Sequence, residues 1–168
     1  MKKTLIIQLL TDDKNSWFVP YAKRLCDELI TLNHKCEVIH SVKDIKLGDI
    51  LFILGCKKII KPEYLLYNKS NIVVHESNLP KGKGWSPVTW QVLQGNNSIP
   101  VTLFEAQEGL DDGPVYFRDS IELDGTELVQ DIRDKQALCK LRMCIKYVNE
   151  FPVCSKVQIG ESSFYEKR

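Results

Sequence analysis

Two side chains stand where a proton could be taken up or released near neutral pH: His75 and Asp111. His75 closes the apolar run 72–74 and is followed by a loop rich in Gly, Pro and Ser. The unperturbed imidazole titrates close to working pH, so His75 can serve as acid or base. Asp111 lies in the Gly-flanked stretch 105–115, just after a second apolar run at 101–104. A carboxylate near an imidazole orients the ring and favours its charged form. Taken alone, His75 reads as a half-buried histidine bonded to a neighbour; the second stretch shifts the balance toward a site. The loop Lys81-Gly82-Lys83-Gly84 is basic and glycine-rich. It is either a solvated turn or a set of backbone N–H groups and lysines facing an anionic substrate group. Trp85 beside it either packs on a ligand face or covers the sheet end, and Trp17 near the end of the first strand reads the same way.

These residues need elements to place them. Residues 5–10 form an apolar run interrupted by Gln8, the pattern of an inner parallel strand. Ser16 can cap a helix whose apolar positions Phe18, Tyr21, Ala22, Leu25, Leu29 and Leu32 recur at helical spacing, ending at Asn33-His34. Strands follow at 36–40 and 50–54, and a short helix runs from Pro62 to Tyr67. A fourth strand, 71–75, ends on His75. Residues 88–93 are helical, with Pro87 suited to the first turn. Residues 101–104 and 115–123 read as strands. A long amphipathic helix opens at Thr126-Glu127 and runs to about Asn149, where Phe151-Pro152 stops it. The tail from Gln158 onward is polar and aromatic, a frayed end or a short strand. Alternating strands and helices predict an α/β fold: a Rossmann-like, mostly parallel sheet flanked by helices. In such sheets the strand C-termini converge on one edge, which would gather His75 and Trp17 there.

Composition narrows the function classes. A chain of 168 residues fits one domain with a sizeable core. Hydrophobic content of 43% and charged content of 27% are ordinary for a soluble globular protein. A formal net charge of +1 gives no electrostatic footprint for nucleic acid, and no apolar run is long enough for a membrane span. The apolar N-terminus stops at Thr11-Asp12-Asp13 without a small-residue cleavage site, so a first strand is preferred over a signal peptide. The six cysteines form no Cys-x-x-Cys pair and no zinc-spaced cluster. They read as reduced thiols of a cytoplasmic protein, with no metal site.

Taken together, the motifs resemble the formyltransferase family that uses N10-formyltetrahydrofolate. The match covers His75, Ser77, Leu79, Pro80, Gly84, Pro87, Trp90, Gly95, Val101-Thr102 and Gly109-Leu110-Asp111-Asp112-Gly113-Pro114. The stretch Leu54 to Pro62 falls where that family places its pterin-contacting turn. Three ordered blocks are far more specific than any one of them. One position departs from the pattern: the family usually carries Asn two residues before the histidine, and here Val73 stands there. Asn71 lies roughly 7 Å further back along the strand. Asn78 in the following loop is nearer in sequence, so the third catalytic member is either Asn78 or absent. The resemblance implies the formyltransferase fold, with 1–150 as a single catalytic domain and 151–168 as a tail at or beside the substrate site.

The implied reaction is acyl transfer to a neutral amine, which builds negative charge on the formyl oxygen and moves a proton from the attacking to the leaving nitrogen. His75 and Asp111 are the expected acid–base pair, with Asn78 or a backbone N–H of the 76–80 loop as oxyanion donor. For the folate donor the resemblance implies backbone and side chains at Lys58, Ile59, Ile60, Gln107 and Leu110. Trp17, Lys81, Lys83, Trp85, Phe164 and Tyr165 are expected on the acceptor. The first-strand turn Thr11-Asp12-Asp13-Lys14-Asn15 has no glycine and two carboxylates, unlike the phosphate-holding turn of glycinamide ribonucleotide enzymes. The 84–87 sequence Gly-Trp-Ser-Pro and the tail look most like the short amino-sugar formyltransferases of pseudaminic-acid-type pathways. The acceptor is then a small nucleotide-linked amino-deoxy sugar, not a nucleic acid. A carrier-bound aminoacyl acceptor, or folate binding without catalysis, stays open, as does assembly into a homodimer.

Overall fold

A computed structural model describes residues 3–167. The chain forms two compact units that divide after Val73.

The first unit carries β1 (Ile6–Leu10), α1 (Val19–Thr31), β2 (Lys35–Ile39), β3 (Gly48–Ile53), α2 (Pro62–Leu65) and β4 (Asn68–His75), whose last two residues enter the second unit. The strands lie in the order β2-β1-β3-β4, each pair parallel. Register sets Leu9 opposite Phe52 and Phe52 opposite Ile72. All three are fully buried, as are Leu25 and Leu29 on α1. Continuous apolar runs are what a parallel strand covered on both faces requires.

The second unit carries β5 (Lys83–Gly84), α3 (Pro87–Leu93), β6 (Ser98–Glu105), β7 (Val115–Glu122), α4 (Val129–Glu150) and β8 (Phe164–Tyr165). β6 and β7 pair antiparallel, with a bulge between Leu103 and Phe104. α4 buries Ala137, Leu141, Cys144, Tyr147 and Val148. The Tyr147 ring meets that of Tyr116 on β7 edge-on, with centroids 4.9 Å apart. β5 and β8 form a separate parallel pair, Lys83 opposite Phe164 and Gly84 opposite Tyr165. The expected fold class holds: four parallel strand pairs, one antiparallel pair, and helices between them.

β4 begins at Asn68 rather than at the expected 71, β6 runs Ser98–Glu105 rather than the expected 101–104, and three helix boundaries move. α1 begins at Val19, because Ser16 is spent on a turn ahead of it: its hydroxyl accepts from Phe18 N at 3.3 Å and its carbonyl from Val19 N at 3.1 Å. α4 begins at Val129, not Thr126. The Glu127 carboxylate accepts from Asp124 and Gly125 N–H groups and holds them in a turn, and Asp131 accepts from Leu128 N at 2.8 Å to open the helix. α2 ends at Leu65, short of Tyr67. Among the described residues, no disulfide forms and no helix is long and apolar enough to cross a membrane.

Candidate active site

His75 is the last residue of β4 and is 7% exposed. Its Nε2 lies 2.8 Å from the Gly82 carbonyl oxygen and 3.8 Å from Asp111 Oδ2. A carbonyl only accepts, so the contact with Gly82 needs the proton on Nε2. The imidazole therefore holds a proton between a neutral acceptor and a carboxylate.

Asp111 reaches this position from the 105–114 loop. The ends of the loop are joined by Glu105 N–H donating to Pro114 O at 2.9 Å. Gly113 permits that closure: a Cβ there would fall 1.6 Å from the Glu105 carbonyl oxygen. Asp111 itself has φ of +52°, a left-handed conformation unfavourable for an L side chain. Its Oδ2 accepts from Gly84 N–H at 2.9 Å. Its carbonyl oxygen accepts from Gln158 Nε2 at 2.7 Å, and the same amide nitrogen donates to Gly113 O at 2.8 Å.

The loop after His75 is built around Arg118 of β7. One guanidinium nitrogen donates to Asn78 Oδ1 at 2.6 Å and the other to Leu79 O at 2.7 Å. Thr102 Oγ1 donates to Ser77 O at 2.6 Å. The Leu79–Pro80 peptide is cis. Asn78 is exposed, and its amide oxygen belongs to Arg118. Asn71 is buried, with its Nδ2 on Leu65 O at 2.9 Å, which removes it as a substitute for the asparagine expected at Val73.

Glu76, next in sequence to His75, is buried and paired with buried Lys140 of α4, Nζ to Oε1 at 2.7 Å. Gln136, one turn earlier on α4, donates to the same oxygen. Gln91 of α3 donates to the Glu76 carbonyl at 2.7 Å. Burial pushes the Glu76 pKa up; the Lys140 charge and hydrogen bond, with His75 and Gln136, outweigh it and hold it below the ordinary value. The residue behind the histidine is thus bolted to two helices.

The expected loop lysine Lys83 is placed differently from the sequence reading. It is 4% exposed, its ammonium is paired with Asp112, and its backbone is in β5. Pairing with β8 buries the side chain, so it is not a mobile cation facing solvent. Lys81 is exposed, Trp85 is 37% exposed and Phe164 is 64% exposed. Tyr165 packs over Gly82, where a Cβ would come within 2.7 Å of its Cε2. Gln107 is exposed and Leu110 half-buried in the Asp111 loop. In the first unit, Lys58 and Ile59 are exposed and Ile60 buried between β3 and α2. Trp17 there is half-buried, its ring edge-on to Phe18 at 5.6 Å and Tyr21 at 6.0 Å.

Sequence reasoning missed Gln158, Ser163, Glu76 and Lys140. Ser163 Oγ accepts from Gly82 N at 2.9 Å, and Ser163 O accepts from Lys83 N at 2.9 Å. The tail therefore runs alongside the backbone that His75 and Asp111 both use.

A model of the formyl transferase family matches residues 27–146, most of the chain. The methionyl-tRNA formyltransferase of Thermosipho melanesiensis is 28% identical over 123 residues, which are 71% of this chain and 39% of that protein. The chain thus spans less than half the length of the curated relatives it matches. The solved structure of methionyl-tRNA formyltransferase from Clostridium thermocellum aligns with a TM-score of 0.80 at 19% identity, covering 97% of this chain and 72% of that one. The formyltransferase PseJ from Anoxybacillus kamchatkensis, solved with UDP-4,6-dideoxy-4-formamido-L-AltNAc and tetrahydrofolate, aligns with a TM-score of 0.71 at 19% identity, covering 95% of this chain and 84% of that one. At such identities the structural likeness speaks for the fold, while the family match speaks for descent. The histidine-ended strand, the aspartate loop and the match along most of the sequence agree: this chain belongs to the formyl transferase family.

Proposed function

We propose that the protein transfers the formyl group of N10-formyltetrahydrofolate to the exocyclic amine of a nucleotide-linked amino-deoxy sugar of the pseudaminic-acid type, in a cytoplasmic setting. The observation that carries the reading is the buried His75 imidazole, 3.8 Å from the Asp111 carboxylate at the end of β4. The donor supplies an activated formyl carbon; the protein supplies proton transfer and charge stabilisation. His75 Nε2–H, released from Gly82 O, donates to the negative charge developing on the formyl oxygen or carries the proton between the two nitrogens. Asp111 stabilises the charged imidazole, and the Gly84 N–H keeps its carboxylate oriented. With Oδ1 of Asn78 held by Arg118, the Nδ2 donors are what that residue can offer the formyl oxygen. Lys58, Ile59 and Ile60 with Gln107 and Leu110 form the folate contacts in this reading.

The acceptor assignment rests on three supports. Trp85, just after β5, and Phe164 on β8 are both exposed and offer flat faces to a base or sugar ring, with Lys81 exposed as a cation for phosphate. At the first-strand turn, Asp12 Oδ2 accepts from Lys57 N at 2.7 Å and Asp13 pairs with Lys57 Nζ at 2.9 Å, so carboxylates occupy the place where a glycine turn would hold phosphate. PseJ, of similar fold, is named with a formamido sugar nucleotide. A second reading, formylation of methionyl-tRNA, is favoured by the names of the curated relatives.

The test is tetrahydrofolate release from N10-formyltetrahydrofolate with nucleotide-linked 4-amino sugars, methionyl-tRNA and a carrier-bound aminoacyl thioester as acceptors. His75→Ala and Asp111→Ala should each lower turnover by about 10²–10⁴-fold. Turnover on methionyl-tRNA alone would replace the sugar reading. Full activity in His75→Ala would refute the mechanism.

A further inference from the structure

We infer that Gln158 is a positioning residue: the tail side chain that holds Asp111 in register with His75. Asp111 sits on a loop without secondary structure, in a left-handed conformation that needs outside support. Two contacts supply it, one to the side chain and one to the main chain. Gly84 N–H grips the carboxylate, and one amide nitrogen of Gln158 donates both its hydrogens, to Asp111 O at 2.7 Å and Gly113 O at 2.8 Å. Among side chains only a primary amide, a lysine ammonium or an arginine guanidinium has two such hydrogens on one nitrogen, and only the amide brings no charge beside Asp111.

Gln158 is itself fixed. Just upstream, Lys156 and Val115 exchange backbone bonds of 2.7 and 2.8 Å. Downstream, β8 pairs with β5, the strand that contributes Gly84. The segment 156–165 therefore spans from the Asp111 loop to the strand that grips its carboxylate. Gln158 Oε1, in contrast, is buried without a hydrogen-bond partner. An unsatisfied acceptor is a cost, so packing alone does not call for glutamine here. The amide donors explain the residue.

The inference rests on the formyl-transfer reading for its kinetic arm, but not for its structural arm. In the full chain, Gln158→Ala and the equally long, donor-free Gln158→Met are compared with wild type, with Ile159→Ala as a control on an exposed, neighbouring side chain. Amide hydrogen exchange at Gly84 reports the bond to Asp111 without any substrate. Exchange at Gly84 should accelerate about tenfold or more in both Gln158 variants and stay unchanged in Ile159→Ala. With N10-formyltetrahydrofolate and whichever acceptor the panel yields, kcat should fall about tenfold with the acceptor KM within about twofold, because orientation is lost and binding is not. Gly84 exchange and kcat in Gln158→Met equal to wild type would overturn the inference. So would an equal loss in Ile159→Ala, which would mean the tail acts by bulk. If wild type turns over no acceptor, the functional reading falls and the exchange result alone decides whether Gln158 tethers Asp111.

Discussion

Replacing Lys140 with methionine should be among the most destabilising single changes in the second unit. The Glu76 and Lys140 side chains are 6% and 8% exposed and 2.7 Å apart. Removing the ammonium leaves a buried carboxylate with Gln136 as its remaining side-chain donor. Breaking a buried pair from one side costs about 3–5 kcal/mol. A domain of this size is stable by about 5–15 kcal/mol, so roughly a third of the total is at stake. With a urea m-value of about 2 kcal/mol/M, the midpoint should drop by about 2 M. Glu76→Leu with Lys140→Met removes both charges and should cost less than the two single changes combined. The pH dependence gives a second check. In wild type the folded pKa of Glu76 lies below the ordinary glutamate value of 4.5. The pair's contribution is therefore present above that value and is lost as pH falls through the folded pKa. In Lys140→Met burial is no longer opposed by the ammonium, so the folded pKa rises and stability is lost as pH rises through it. The gap between the two proteins should widen from acid toward neutral pH. A midpoint shift under about 0.5 M, or a gap that does not change with pH, would refute the account of a buried, paired carboxylate.

Two further outcomes follow from packing. Gly113→Ala places a methyl group against the Glu105 carbonyl, so the 105–114 loop cannot close as it stands; the variant should lose turnover at 25 °C and melt several degrees lower by calorimetry. Thiol titration should find the exposed Cys154 reacting at once, while Cys139 and Cys144 react only on unfolding. Burial pushes the Cys139 thiol up to about 11 and raises Cys144 further, and the thiolate is the reactive form.

Much of this architecture is legible in the residues. The apolar runs at 5–10, 50–54 and 71–75 announce inner strands, and the helical spacing of Leu25 and Leu29 announces α1. His75 is found at the end of β4, and Asp111, in the loop that follows β6, comes within 3.8 Å of it. The misses share a cause. β5 and β8 have two residues each, too few for any period to show, and Ser163 meets Gly82 across a separation of 81 residues. Glu76 and Lys140 look like surface charges until the fold buries them together. Lys83 looks mobile among glycines for the same reason: nothing local reports that Asp112 and β8 enclose it. Ser16 and Thr126 carry capping chemistry, but turns ahead of each helix took the hydrogen bonds.

The β5–β8 pairing has a consequence for how this scaffold can change. Its bonds run from Lys83 N to Ser163 O and from Trp85 N to Tyr165 O, main chain to main chain. Main-chain pairing does not read side chains, so the outward-facing Phe164 can be exchanged without disturbing the strand that steadies Asp111. Under the proposed function, drift in acceptor preference and upkeep of the His75–Asp111 pair are thereby separated. If Gln158 holds Asp111 as inferred, surface-facing positions of the tail are open to mutation while its backbone and Gln158 are not, and the proposed acceptor side could change one side chain at a time.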